Sequence, residues 1–159
     1  MTKFPGNYTI LEDVGFTLLS EGKTIRIKAH GYSMYPCIKP GSLILIEPIG
    51  IKGFPKPGEI IAVRRGGGLI VHRLTKVINK GGKTLYIARG DSNALADIPV
   101  EIKMIAGRVV RAETTGENPV AADLRINKNP GYFINRLRVI ILLTGMKIRL
   151  KLKSAGMQR

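Results

Sequence analysis

The 159-residue sequence contains no tryptophan and only 6% aromatic residues. It therefore has little from which to build a surface of stacked rings for single-stranded nucleic acid or sugars. One cysteine, Cys37, excludes an internal disulfide framework and a cysteine-based zinc site. With only two histidines beside it, His30 and His72, the set makes a poor metal site, and neither a metal nor an organic cofactor is implied. Long apolar runs are also missing. The longest near the C-terminus, 139–146 (VIILLTGM), has eight residues where about 20 are needed to cross a bilayer. The N-terminal stretch MTKFPGNYTILEDVGF lacks the apolar centre of a secretory signal.

Acidic residues are scarce, 11 against 26 Lys and Arg, which leaves a net charge of +15. Nine of the basic residues and none of the acids lie from Arg125 onward, so the chain reads as a less charged body with a basic tail. Such a charge attracts polyanions, either an anionic membrane face or nucleic acid. Hydrophobic residues make up 44%, enough for a core, and the length suits one ordinary domain. Nineteen Gly and nine Pro argue against a helix bundle and for short strands separated by turns.

Four regions follow. Residues 1–28 hold a short helix around Leu11–Glu21, ended by Gly22, and a strand at Thr24–Lys28. Residues 29–111 read as a β-rich domain with strands at Ser42–Glu47, Glu59–Arg64, Leu69–Val77, Lys83–Ala88 and Ile102–Val110. Gly66, Gly67 and Gly68 make a hairpin turn into the third of these. The expected fold is mostly β, a coiled antiparallel sheet or barrel-like sandwich. Residues 112–129 are a polar linker, and 130–159 a basic amphipathic tail. In that tail Arg136, Arg138, Lys147, Arg149, Lys151 and Lys153 flank an apolar centre. The composition suits an element lying in a headgroup layer or a helix docked on a partner, although Lys147–Lys153 has a period of two.

Taken singly, the residues that could do chemistry have ordinary explanations. His72 lies in LIVHRLT on the face of Ile70 and Leu74, where a histidine is more often structural. His30, before Gly31, reads as structural too. Ser33, between a glycine and a proline, is a turn residue by composition. Asp91 in Gly90-Asp91-Ser92-Asn93, and Asp97 before Ile98-Pro99, read as turn carboxylates.

Together they form a pattern. Ser33-Met34-Tyr35-Pro36 precedes an apolar strand, a Pro-Gly turn, another strand and a hairpin. The His72-Arg73 pair comes 39 residues after Ser33, and then Gly-Asp-x-Asn-x-x-x-Asp at Gly90–Asp97. This order resembles the signal-peptidase family of serine proteases, in its serine–histidine branch, from about Leu18 to Val110. The resemblance implies Ser33 as nucleophile, His72 as general base, Asp97 as the carboxylate that orients the imidazole, and Asp91 in support. The chemistry is coherent, because a serine hydroxyl attacks only if a neighbour removes its proton, and a neutral imidazole held by a carboxylate can do so. Arg73 cannot be the base, since guanidinium does not deprotonate, and Lys76 shares the His72 face by alternation alone. Met34 is expected beneath the site, and Gly31, Tyr32 and Tyr35 along the cleft. In the lysine-dependent sister branch a serine two residues before the nucleophile assists the oxyanion. Here that position is Gly31, leaving the Ser33 amide as donor.

The sequence departs from the family at Gly41-Ser42 and Gly58-Glu59, where Gly-Asp is usual at the first, and it shows no membrane anchor before Ser33. The resemblance implies an exported or membrane-associated protein or peptide as substrate, with small residues such as Ala before the cut, held as an extended strand. An anionic membrane surface is expected as partner of the basic tail, giving a peripheral membrane location that a cytoplasmic protein can have. Nucleic acid is the less favoured polyanion. Two other readings compete. A self-cleaving repressor-type domain is disfavoured because 32 residues before Ser33 are too few for a DNA-reading module and linker. A non-catalytic basic binding module rests on charge alone.

Overall fold

A computed structural model describes residues 8–50, 53–65, 68–115, 120–122, 124 and 131–141. The expected glycine turn at 66–67, most of the linker and the tail beyond 141 lie outside the described residues. Helix α1 (Tyr8–Ser20) leads into strands β1 (Ile25–Lys28), β2 (Leu43–Pro48), β3 (Ile60–Arg65), β4 (Gly68–Lys80) and β5 (Lys83–Arg89). A single 3-10 turn, Ile102–Met104, precedes β6 (Ile105–Glu113), and a second helix, α2, covers residues 131–141.

The six strands form one antiparallel sheet in the order β1-β2-β6-β3-β4-β5. It is an open sheet, not closed into a barrel. Its centre explains why β3 begins with an unbroken apolar run, Ile60–Val63. Ile60 and Ala62 face one core, with Leu19, Met34, Cys37, Ile38, Ile44 and Ile46. Ile61 and Val63 face a second, with Leu74, Tyr86, Ala88 and Ile105. A strand covered on both faces has no solvent side to alternate with. On the first core α1 lays Phe16, Leu18 and Leu19, with Gly15 beside Ile25 and Leu69.

Two features of β4 set up the site. Its pairing with β3 runs from Gly68 to Arg73, whereas its pairing with β5 begins only at Arg73, so among the described residues one edge of 68–72 carries no strand. An irregularity between Leu74 and Lys76 then breaks the alternation. Lys76, read as facing the same way as His72, is exposed. Beyond β5, Val100 exchanges two backbone hydrogen bonds with Tyr86 (2.8 and 3.0 Å), and the Asp97 N–H donates to the Ala88 carbonyl at 2.8 Å. Residues 97–100 are thereby laid along the free side of β5. Residues 120–122 return to β6 through Thr114–Val120 and Ala112–Ala122 hydrogen bonds, and Ala122 and Leu124 pack on the first core.

Candidate active site

The segment between β1 and β2 makes a tight turn over residues 32–38, and Ser33 is half-buried within it. Gly31 enters this turn at φ +77°, a left-handed conformation that a residue with a Cβ adopts only with strain. A serine, as in the lysine-dependent branch, would be strained at that point. Met34, expected beneath the site, is buried in the first core. Gly31, Ser33 and Met34 line a cavity of about 510 Å³, together with Ile27 and Ala29 beside β1 and Leu69–Val71 of β4. Tyr32 and Tyr35, expected along the cleft, are instead exposed and do not line this cavity. In so tight a turn, neighbouring side chains cannot all point inward.

His72 and Arg73 are consecutive on β4 and face opposite sides of the strand. His72 is buried, and its Nδ1 lies 2.6 Å from Oδ2 of Asp97. The two residues are 25 apart in sequence and meet because 97–100 runs beside β5. Arg73 grips Asp91 with a fork, Nε to Oδ1 at 2.9 Å and Nη2 to Oδ2 at 2.8 Å. Its Nη1 donates to the carbonyls of Gly58 (2.9 Å) and Leu124 (2.7 Å). Burial opposes the guanidinium charge, but the hydrogen bonds and field of Asp91 outweigh it and raise the Arg73 pKa above its usual value.

The loop starting at Gly90 binds the serine turn to β4. While Asp91 holds Arg73, the Ser92 N–H donates to the Ser33 carbonyl at 2.8 Å and the Ser92 hydroxyl to the Tyr35 carbonyl at 2.8 Å. Gly90 has to be glycine for this approach, because a Cβ there would stand 2.7 Å from the Ser33 carbonyl oxygen. The structure thus joins His72 to Asp97, joins Arg73 to Asp91, and ties Ser33 to the Asp91 loop through its backbone. Among the described residues, no hydrogen bond links the Ser33 hydroxyl to the imidazole. His30, read as structural, is exposed at the cavity. Among the described residues, no three His, Cys, Asp or Glu side chains converge as a metal site would require.

Three residues on α2 join this region without having been foreseen. Asn135 Nδ2 donates to the Tyr35 carbonyl (3.1 Å) and to Ser92 Oγ (3.0 Å), Arg136 donates to the Asn93 carbonyl, and the Tyr132 ring lies under the Arg73 guanidinium at 5.9 Å. The signal that could have found them is the spacing Tyr132, Asn135, Arg136, Val139, a single helical face inside a segment dominated by its charge.

One antiparallel sheet thus carries a serine turn, a buried imidazole–carboxylate pair and a Gly-Asp loop tied to that turn. The chain belongs to the Peptidase S24-like family, whose model matches residues 6–110. It is similar to Signal peptidase I W of Bacillus subtilis (strain 168), with 31% identity over 96 residues, 60% of this chain and 48% of that protein. The chain thus spans about half the length of that curated relative.

Proposed function

We propose that the chain is a serine endopeptidase in which Ser33 is the nucleophile, His72 the general base and Asp97 the group that orients the imidazole. The observation that carries this reading is the 2.6 Å contact between His72 Nδ1 and Asp97 Oδ2. An ionised carboxylate only accepts hydrogen bonds, so the ring proton sits on Nδ1 and the lone pair on Nε2. That is the tautomer a base for serine needs. Nε2 takes the Ser33 hydroxyl proton as Oγ bonds to the scissile carbonyl carbon, then gives it to the leaving amine as the C–N bond breaks. Water, deprotonated by the same nitrogen, releases the acyl group from Oγ. The Ser33 amide, which no described residue engages, donates to the oxyanion. Asp91 supports the site by holding Arg73 and the loop that carries Ser92.

Two open strand edges support an extended substrate. Among the described residues β1 pairs only with β2 and residues 68–72 only with β3, yet both border the same cavity. A peptide laid between them adds main-chain hydrogen bonds along both edges and places alternate side chains in an apolar space. The family likeness directs this reading to an exported or membrane-associated precursor with small residues such as Ala before the cut. The test is Ser33→Ala. Wild type should cleave Ala-x-Ala peptides and take up a fluorophosphonate probe, and the variant should do neither while keeping its fold by circular dichroism. A wild type inert in both assays would leave only a basic binding scaffold.

A further inference from the structure

Helix α2 has two faces of opposite character. Its less exposed side, Tyr132, Asn135, Arg136 and Val139, is the one bonded to the Ser33 turn and the Asp91 loop. On the other side Phe133, Ile134, Leu137 and Ile141 are 55–60% exposed. At about 100° per residue these four fill an arc of roughly 100°, with Arg136 and Arg138 on its two flanks. A docked helix that leaves its most apolar stripe in water marks that stripe as an interaction surface.

Charge identifies the occupant. From Arg125 to the end there are nine basic residues and no acidic one. An apolar arc bordered by arginines, within a segment carrying positive charge alone, matches the boundary between acyl chains and anionic headgroups. There the rings and aliphatics sink in and the Arg138 guanidinium reaches up to phosphates, while Arg136 stays on the Asn93 carbonyl. The eleven described residues of the helix are too few to span, and no helix among the described residues is long and apolar enough to cross a membrane. We propose that α2 seats the chain on an anionic bilayer surface through Phe133, Ile134, Leu137 and Ile141. Its inner face, bonded to both site loops, then holds the cleft at the leaflet. The placement of the cleft rests on the peptidase reading; the membrane contact does not.

The experiment is sedimentation of the full chain with vesicles of phosphatidylcholine containing about one-third phosphatidylglycerol. Wild type should bind these vesicles, release at high salt and bind far less to pure phosphatidylcholine. Ile134→Glu with Leu137→Glu should weaken binding by at least about tenfold while leaving fluorophosphonate labelling without vesicles unchanged. If the two new charges disturb the fold, Phe133→Ser with Ile141→Ser serves instead, with at least about threefold weakening. Wild type that does not sediment, variants that bind as wild type does, or preferential binding of duplex DNA would each overturn the proposal. Vesicle binding by a wild type inert to the probe would remove the peptidase reading and keep this one; labelling without binding would do the reverse.

Discussion

Asp91→Asn separates a support role from a chemical one, and its cost follows from the burial of the Arg73–Asp91 pair. The side chains are 2% and 1% exposed, so neither charge has water to fall back on. The substitution replaces two carboxylate oxygens at 2.9 and 2.8 Å with a neutral amide. Arg73 keeps its bonds to the Gly58 and Leu124 carbonyls, which carry no full charge. Breaking a buried pair from one side costs roughly 3–5 kcal/mol, because the remaining ion stays desolvated. For a domain of this size each kcal/mol shifts Tm by about 2–4 °C, so the melting temperature should fall by roughly 6–20 °C. Removing both charges, as Arg73→Met with Asp91→Leu, should cost less than Asp91→Asn alone. Thermal unfolding followed by circular dichroism at one protein concentration decides it. A single variant melting within about 2 °C of wild type, or a double variant no better than the single, would refute the reasoning.

Asp97→Asn should act on rate more than on stability. A charge about 4 Å from the imidazolium that forms in the transition state contributes about 4 kcal/mol at an effective dielectric near 20, so kcat should fall roughly a thousandfold with a Tm loss smaller than that of Asp91→Asn. Peptide hydrolysis and melting curves on the same preparation check both halves. Gly90→Ala brings a methyl to 2.7 Å from the Ser33 carbonyl and should push the two loops apart. Labelling of Ser33 should slow at least about tenfold, measured by the time course of probe uptake. Ala29→Phe fills part of the 510 Å³ cavity. Peptide cleavage should drop through a raised KM while labelling by a small fluorophosphonate is little changed, and equal loss in both would place the cavity outside the substrate path.

Turn chemistry made most of the sheet legible. Pro40-Gly41, Pro57-Gly58 and Gly81-Gly82 precede strands that begin within two residues of the expected points. Closure was not legible, because it depends on whether distant edges meet. Here β1 is only four residues long, and β5 is flanked by 97–100 instead of another strand. The orientation of Lys76 could not be read either, since alternation assumes a regular strand and β4 is irregular just before it. In the site, Ser33, His72, Asp91 and Asp97 were visible only as an ordered motif. Nothing local in LIVHRLT announces that a carboxylate 25 residues on will reach the ring. Arg73 could be dismissed as a base, but its burial against Asp91 depends on tertiary structure. The inner face of α2 was hidden because a tail with nine cations reads first as a solvated or lipid-facing segment.

The most direct measurement is mass spectrometry of the full-length protein after exposure to a fluorophosphonate, with His72→Ala treated in parallel. The account predicts a single adduct on Ser33 in wild type and its near disappearance in the variant, because the hydroxyl then has no group to accept its proton. An adduct formed equally fast without His72, or none on Ser33 at all, would contradict it.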